Sequence, residues 1–153
     1  MKAQTLIIFL LINFLALGIC SALSGDGATS VWYSHQNQAP WTPPGWVFGV
    51  AWTSIMICFS IYMSYLLSTE STKKFVILSF AAQWILNVSW SPVFFKYQNA
   101  MAGLVIISLL TLAVTFMLFK NIKSLHVKSV FILPYFLWLL IATSLNAYIL
   151  FNN

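Results

Sequence analysis

The chain holds few groups able to do acid–base or metal chemistry. Its 153 residues contain two carboxylates, Asp26 and Glu70, and two imidazoles, His35 and His126. An apolar run long enough to cross a bilayer separates the two acids, and three such runs separate the two histidines. Neither pair then meets on one face of a membrane. This excludes a cooperating acid and base, and a two-histidine zinc or haem site within one subunit. The sequence has no phosphate-binding glycine loop, no dinucleotide fingerprint and no convergent Ser/His/Asp set. Ion-coupled transport would place an ionisable residue inside a span, and the apolar runs carry none.

What the chain does carry is aromatic surface with a few uncharged polar groups. Gln83, Asn87, Trp90 and Phe94 recur at i, i+4, i+7 and i+11, one face of a helix. Tyr135, Trp138, Ala142 and Asn146 recur at i, i+3, i+7 and i+11 and form a second. Trp46, Phe48 and Trp52 open another apolar run. Amides facing lipid are costly, so these faces should turn inward. The pocket they bound would be flat-walled, mostly apolar and suited to a large planar ligand. A plainer account competes for each residue. Trp41 and Trp46 fit an interfacial aromatic belt, and Asn13, Gln83, Asn87 and Asn146 fit hydrogen bonds between helices. Trp52 and Trp138 lie deeper than a belt requires.

The elements that must position these groups follow from composition. Apolar residues make up 61% of the chain and charged residues 6%, against about a quarter charged in soluble domains. Five runs are long enough to span: 5–23, 46–67, 75–95, 102–119 and 130–151. Backbone polar groups in lipid must be satisfied within their own segment, so the runs predict helices in spite of their Ile, Val and Phe. The expected fold is an all-α membrane bundle of five transmembrane helices in a single domain, 1–153. One long extramembrane loop, 24–45, should lie over the pocket. The other connections are short, which makes consecutive helices antiparallel neighbours.

The positive charge is all lysine and sits at the ends of the runs, which argues against nucleic-acid binding. Lys2, Lys73, Lys74, Lys120, Lys123 and Lys128 fall on one side, and Lys96 alone on the other. That bias places the N-terminus in the cytoplasm and the C-terminus outside. The first run is longer than a typical signal-peptide core and reads as a retained helix. Cys20 and Cys58, within apolar runs, read as small buried hydrophobes. Pro92 and Pro134 fall inside the third and fifth runs, where each should remove a helical hydrogen bond and bend its helix.

Three blocks carry a resemblance to a known family. Trp41-Thr42-Pro43-Pro44-Gly45-Trp46-Val47-Phe48-Gly49 with Trp52 resembles the W-T-P-P-x-x-x-F-G-x-x-W signature of the TspO/MBR family, the translocator and tryptophan-rich sensory proteins. Asn87-Val88-Ser89-Trp90-Ser91-Pro92-Val93-Phe94-Phe95 resembles its N-x-x-W-S-P-x-F-F block. Pro134-Tyr135-Phe136-Leu137-Trp138 with Ala142-Thr143-Ser144-Leu145-Asn146 resembles its third. The resemblance covers nearly the whole chain. It implies a five-helix bundle, commonly a homodimer, that binds porphyrins and other flat hydrophobic ligands in a pocket closed by the first loop.

Carried over by position, Trp52 and Trp138 correspond to tryptophans placed against the porphyrin. Trp32, Tyr33, Asn87, Trp90, Phe94 and Ala142 correspond to other pocket-facing or loop-closing positions, and Trp41 and Asn146 complete the expected ligand-binding set. His35, first read as a solvated loop residue, is a second-choice contact for the ligand or for a metal in a porphyrin. The leading expectation is a receptor or sensor in a bacterial cytoplasmic membrane, with a tetrapyrrole as ligand, no required cofactor and no protein-bound metal. The alternatives are light- and oxygen-dependent porphyrin breakdown, with Trp52 and Trp138 as electron donors, and tetrapyrrole transport. Two departures from the family stand out. No basic residue follows Tyr148, which removes support for sterol binding. Ala39 precedes Pro40 where many members have a lysine, which removes one means of holding a propionate.

Overall fold

The computed structural model describes residues 2–70 and 72–153. Helix α1 spans Ala3–Leu23, and a 3-10 turn, Gly27–Thr29, leads to the short α2, Val31–His35. Helix α3 spans Gly45–Thr69. Helix α4, Lys73–Ser91, runs into a π turn at Pro92–Lys96. Helix α5, Ala100–Leu125, passes through a 3-10 stretch, His126–Ile132, into α6, Leu133–Asn152. The described residues contain no strand.

Four helical stretches are long and apolar enough to cross a membrane: Ala3–His35, Gly45–Thr69, Lys73–Lys96 and Ala100–Asn152. The expected count of five separate spans meets four here, because α5 and α6 follow one another without a non-helical residue. The junction is nonetheless a sharp one. His126 has φ of +49°, a conformation that L-residues with bulky side chains rarely adopt.

Local chemistry sets the boundaries. Ser30 caps α2 by accepting from the Tyr33 amide at 3.2 Å, and Asn99 caps α5 by accepting from the Ala102 amide at 2.9 Å. Pro134 does not bend a helix, contrary to expectation. It lies in the first turn of α6, where its missing N–H has no intrahelical partner to lose. Pro92 does disturb the third run, ending the regular α4 and starting the π turn. Helix α5 continues past the expected end at 119 to Leu125, since Lys120 and Lys123 reach out of the apolar zone while Asn121 and Leu125 stay buried.

The bundle turns its apolar side chains outward as well as inward. Ile8, Leu11, Leu15, Ile85, Leu112 and Phe116 are all exposed, as a lipid-facing surface requires. Buried amides and hydroxyls join helices instead. Asn13 Nδ2 donates to Ser60 Oγ at 2.8 Å, Trp84 Nε1 to the Ile12 carbonyl at 3.2 Å, and Gln83 Nε2 to Tyr135 Oη at 2.7 Å. Tyr62 Oη donates to the Met117 carbonyl at 2.9 Å, and the Thr111 and Thr143 hydroxyls meet at 3.0 Å. Helix α1 packs on α3 and α4, and α5 packs on α4 and α6. The start of α5 comes close to its neighbours because Gly103 has no side chain. A Cβ there would lie 2.9 Å from Asn146 Oδ1 and 3.0 Å from Phe94 Cδ2.

Candidate functional site: an aromatic cavity beneath the first loop

A cavity of about 220 Å³ opens where the end of α1, the Ser24–Ala28 segment, the start of α3 and the end of α4 converge. Helix α1 contributes Leu17, Cys20 and Ser21, while α3 contributes Phe48 and Trp52. Asn87, Trp90 and Ser91 come from α4, and Phe95 from the π turn. Small polar contacts hold this corner together. The Ser24 and Ser91 hydroxyls share a hydrogen bond of 2.5 Å, tying the end of α1 to α4. Cys20 Sγ lies 3.7 Å from the Asn87 carbonyl and 3.9 Å from that of Val88, so its thiol points to α4.

Asn87 differs from the other interior amides. Gln83 commits its Nε2 to Tyr135 Oη while its Oε1 is buried without a partner among the described residues, and Asn146 commits both ends, accepting from Trp90 Nε1 at 3.1 Å and donating to the Ala100 carbonyl at 2.8 Å. The Asn87 side chain, though only 5% exposed, makes no hydrogen bond among the described residues, and it lines the cavity with Trp52 and Trp90. A buried amide without a protein partner is costly unless something else satisfies it.

Beside this cavity lies a second void of about 10 Å³, lined by Tyr33, Phe48, Trp90, Phe94, Ala142 and Asn146 among others. That is room for one water at most. The void is small because aromatic rings fill the interior. Trp90 stacks on Phe94 at 5.5 Å and 12°, and Trp32 and Tyr33 pack edge-on against Phe94 at 5.4 and 6.2 Å. The loop pair Trp32-Tyr33 thus reaches down into the helices.

The structure distributes the expected site residues unevenly. Trp52, Asn87 and Trp90 line the larger cavity, and Tyr33, Trp90, Phe94, Ala142 and Asn146 surround the smaller void, with Trp32 against its wall. Trp138 lines neither. It sits behind Phe48, whose ring meets it edge-on at 5.4 Å, and its buried Nε1 has no hydrogen-bond partner among the described residues. Trp41 is 54% exposed, donates to Ser144 Oγ at 3.1 Å and packs on Tyr148 along α6, away from the cavity. His35, with Nδ1 2.7 Å from the Val31 carbonyl, is also outside the lining.

Several lining residues escaped the sequence reading. Cys20 is only half-buried and forms part of the wall, so its reading as an inert buried hydrophobe is corrected. Cys58 is likewise half-buried. The signal for the α1 wall was available: Cys20, Ser21 and Ser24 interrupt an apolar run with small polar groups near one face. Phe95 lies at i+8 from Asn87, on the edge of the same helical face, and the π turn brings both Phe94 and Phe95 into the core.

Comparison with known proteins is consistent with this arrangement. The sequence profile described as the TspO/MBR family matches residues 9–151. A tryptophan-rich protein TspO of Chlorobaculum tepidum is 32% identical over 91% of this chain and 94% of its own length. A tryptophan-rich sensory protein of Cereibacter sphaeroides is 31% identical over 90% of this chain and 87% of its own. The human translocator protein is 30% identical over 75% of this chain and 70% of its own.

Proposed function

Because this chain belongs to the TspO/MBR family, we propose that it is a membrane receptor or sensor that binds protoporphyrin IX-type tetrapyrroles and other flat hydrophobic ligands in the cavity beneath its first loop. The observation that carries this reading is the Asn87 amide, with no protein partner among the described residues, lining one cavity with Trp52 and Trp90. Aromatic walls supply stacking area, and one free amide supplies orientation. At about 220 Å³ the cavity falls below the roughly 300–1,000 Å³ of small-molecule sites, so a macrocycle enters only with movement of its walls. Phe48, Trp90 and Phe95 line both voids, so their rings are the walls whose displacement would join them.

In this proposal α5 and α6 cross separately, giving five spans. Their 26 and 20 residues correspond to about 39 and 30 Å of helix, against a hydrocarbon core about 30 Å thick. The lysines support a cytoplasmic N-terminus in a bacterial membrane. Lys120 lies 3.4 Å from the centre of the Phe75 ring and Lys128 4.7 Å from that of Tyr65, an interfacial collar at one end of the bundle. A homodimer accords with the wide exposed apolar surface and with the family.

The test is quenching of tryptophan fluorescence by protoporphyrin IX in the dark. Saturable quenching that weakens in Trp52→Phe supports the site, whereas linear quenching identical in both proteins rejects it. Illumination then addresses the second reading, which the two indoles lining the cavity favour. New absorbing products that disappear in Trp52→Phe would establish breakdown of the bound porphyrin.

A further inference from the structure

The charges around the cavity point to the chemistry of its ligand. Asp26 is the one charged residue in the lining, among the described residues. It precedes the 3-10 turn, where its side chain caps no backbone amide, and it pairs with no lysine. The whole loop over the cavity, 24–45, contains Asp26 and neither Lys nor Arg. Two elements that carry basic residues pack against the 3-10 turn: α2, with His35 in its last turn, and the π turn, which ends in the exposed Lys96; neither residue lines the cavity. The remaining polar groups of the wall are the hydroxyls of Ser21, Ser24 and Ser91 and the free Asn87 amide, all uncharged.

On the proposed reading of this site as a tetrapyrrole pocket, we infer that among flat apolar ligands it holds those whose polar end is neutral or cationic more tightly than those ending in carboxylates, so that protoporphyrin IX, a dicarboxylate, binds more weakly than its esters. A carboxylate brought to the mouth would approach Asp26, and no Lys or Arg lines the cavity to balance either charge. Like charges with nothing between them repel, most strongly at low ionic strength. A neutral ester or amide at the same place meets no such penalty and can still bond to Asn87 and the serines. A protonated amine would be attracted to Asp26.

The test compares protoporphyrin IX with its dimethyl ester, titrated in the dark into wild type, Asp26→Asn and Asp26→Lys in the same detergent. The readout is the ratio of the two dissociation constants, acid over ester. Detergent partitioning affects that ratio equally in all three proteins and cancels when they are compared. The ratio should fall in Asp26→Asn, fall further in Asp26→Lys by about fivefold or more overall, and change less at high salt. A ratio that stays within about twofold across the three proteins, while both ligands still bind saturably, overturns the charge selection and leaves the pocket standing. No saturable binding of either ligand to wild type overturns the tetrapyrrole reading and the selection with it.

Discussion

The two ends of the bundle are built differently. Toward the lysine collar the core is closed: Phe59, Tyr62, Met63, Leu66 and Val76 are fully buried, and Phe59 contacts the rings of Tyr62, Phe80 and Tyr135 at 5.2–6.2 Å. Toward the first loop the same helices diverge around the 220 Å³ cavity, with an unpartnered amide in its wall. Both ends are rich in aromatic residues, so aromatic content alone does not make a site. The difference lies in what the helices leave between them: packed rings at one end, and at the other a cavity with the Asn87 amide in its wall. At the closed end the Tyr62 hydroxyl is committed to a carbonyl of α5, whereas at the open end Asn87 keeps its hydrogen-bonding capacity for a ligand.

The contrast predicts separable effects, the largest at the closed end. Phe59→Ala removes a fully buried ring from three aromatic contacts and should cost about 3–5 kcal/mol. It should lower the unfolding midpoint in detergent while the protein that remains folded binds ligand with little change. A binding loss larger than the stability loss would mean that the two ends are one mechanical unit.

Gly103→Ala acts at the open end, beside the smaller void. The added Cβ would press on Asn146 Oδ1, the acceptor for Trp90 Nε1, and on the Phe94 ring. Overpacking of this kind costs about 1–3 kcal/mol. Unlike Phe59→Ala, it should also shift the tryptophan emission and weaken binding, because Trp90 lines the cavity. An unchanged emission spectrum would show that α5 yields instead of the site.

How much of this was legible in the sequence depends on periodicity. The inward faces followed from spacing: Gln83, Asn87, Trp90 and Phe94 are all buried, as are Tyr135, Trp138, Ala142 and Asn146. Which amide would remain free did not follow, since Asn87 and Asn146 are the same residue type on equivalent inward faces. Their difference arises from what the neighbouring helix presents, Trp90 Nε1 and the Ala100 carbonyl to Asn146 and a cavity to Asn87. The helical junction at His126 likewise merged two runs that hydropathy had separated. Trp138 illustrates the same limit. Spacing turned it inward, and only the position of Phe48 put a ring between it and the cavity.

The smallest expected effect is the most discriminating. Asn13 and Asn87 are both buried amides within helices, but Asn13 donates to Ser60 Oγ at 2.8 Å and Asn87 donates to nothing. Asn13→Leu should therefore destabilise the bundle by about 0.6–2 kcal/mol, the worth of a hydrogen bond between membrane helices. Asn87→Leu forfeits no protein hydrogen bond and should leave the unfolding midpoint unchanged or raise it slightly. Its effect should appear in ligand affinity, which should fall roughly five- to tenfold if one hydrogen bond of about 1–1.5 kcal/mol is lost. Thermal unfolding and dark quenching on the two variants give a crossed pattern if the open end is a binding site, one variant moving stability and the other affinity. If Asn87→Leu lowers stability as much as Asn13→Leu and leaves quenching intact, Asn87 is another structural amide, and the cavity loses the group that distinguishes it from a packing void.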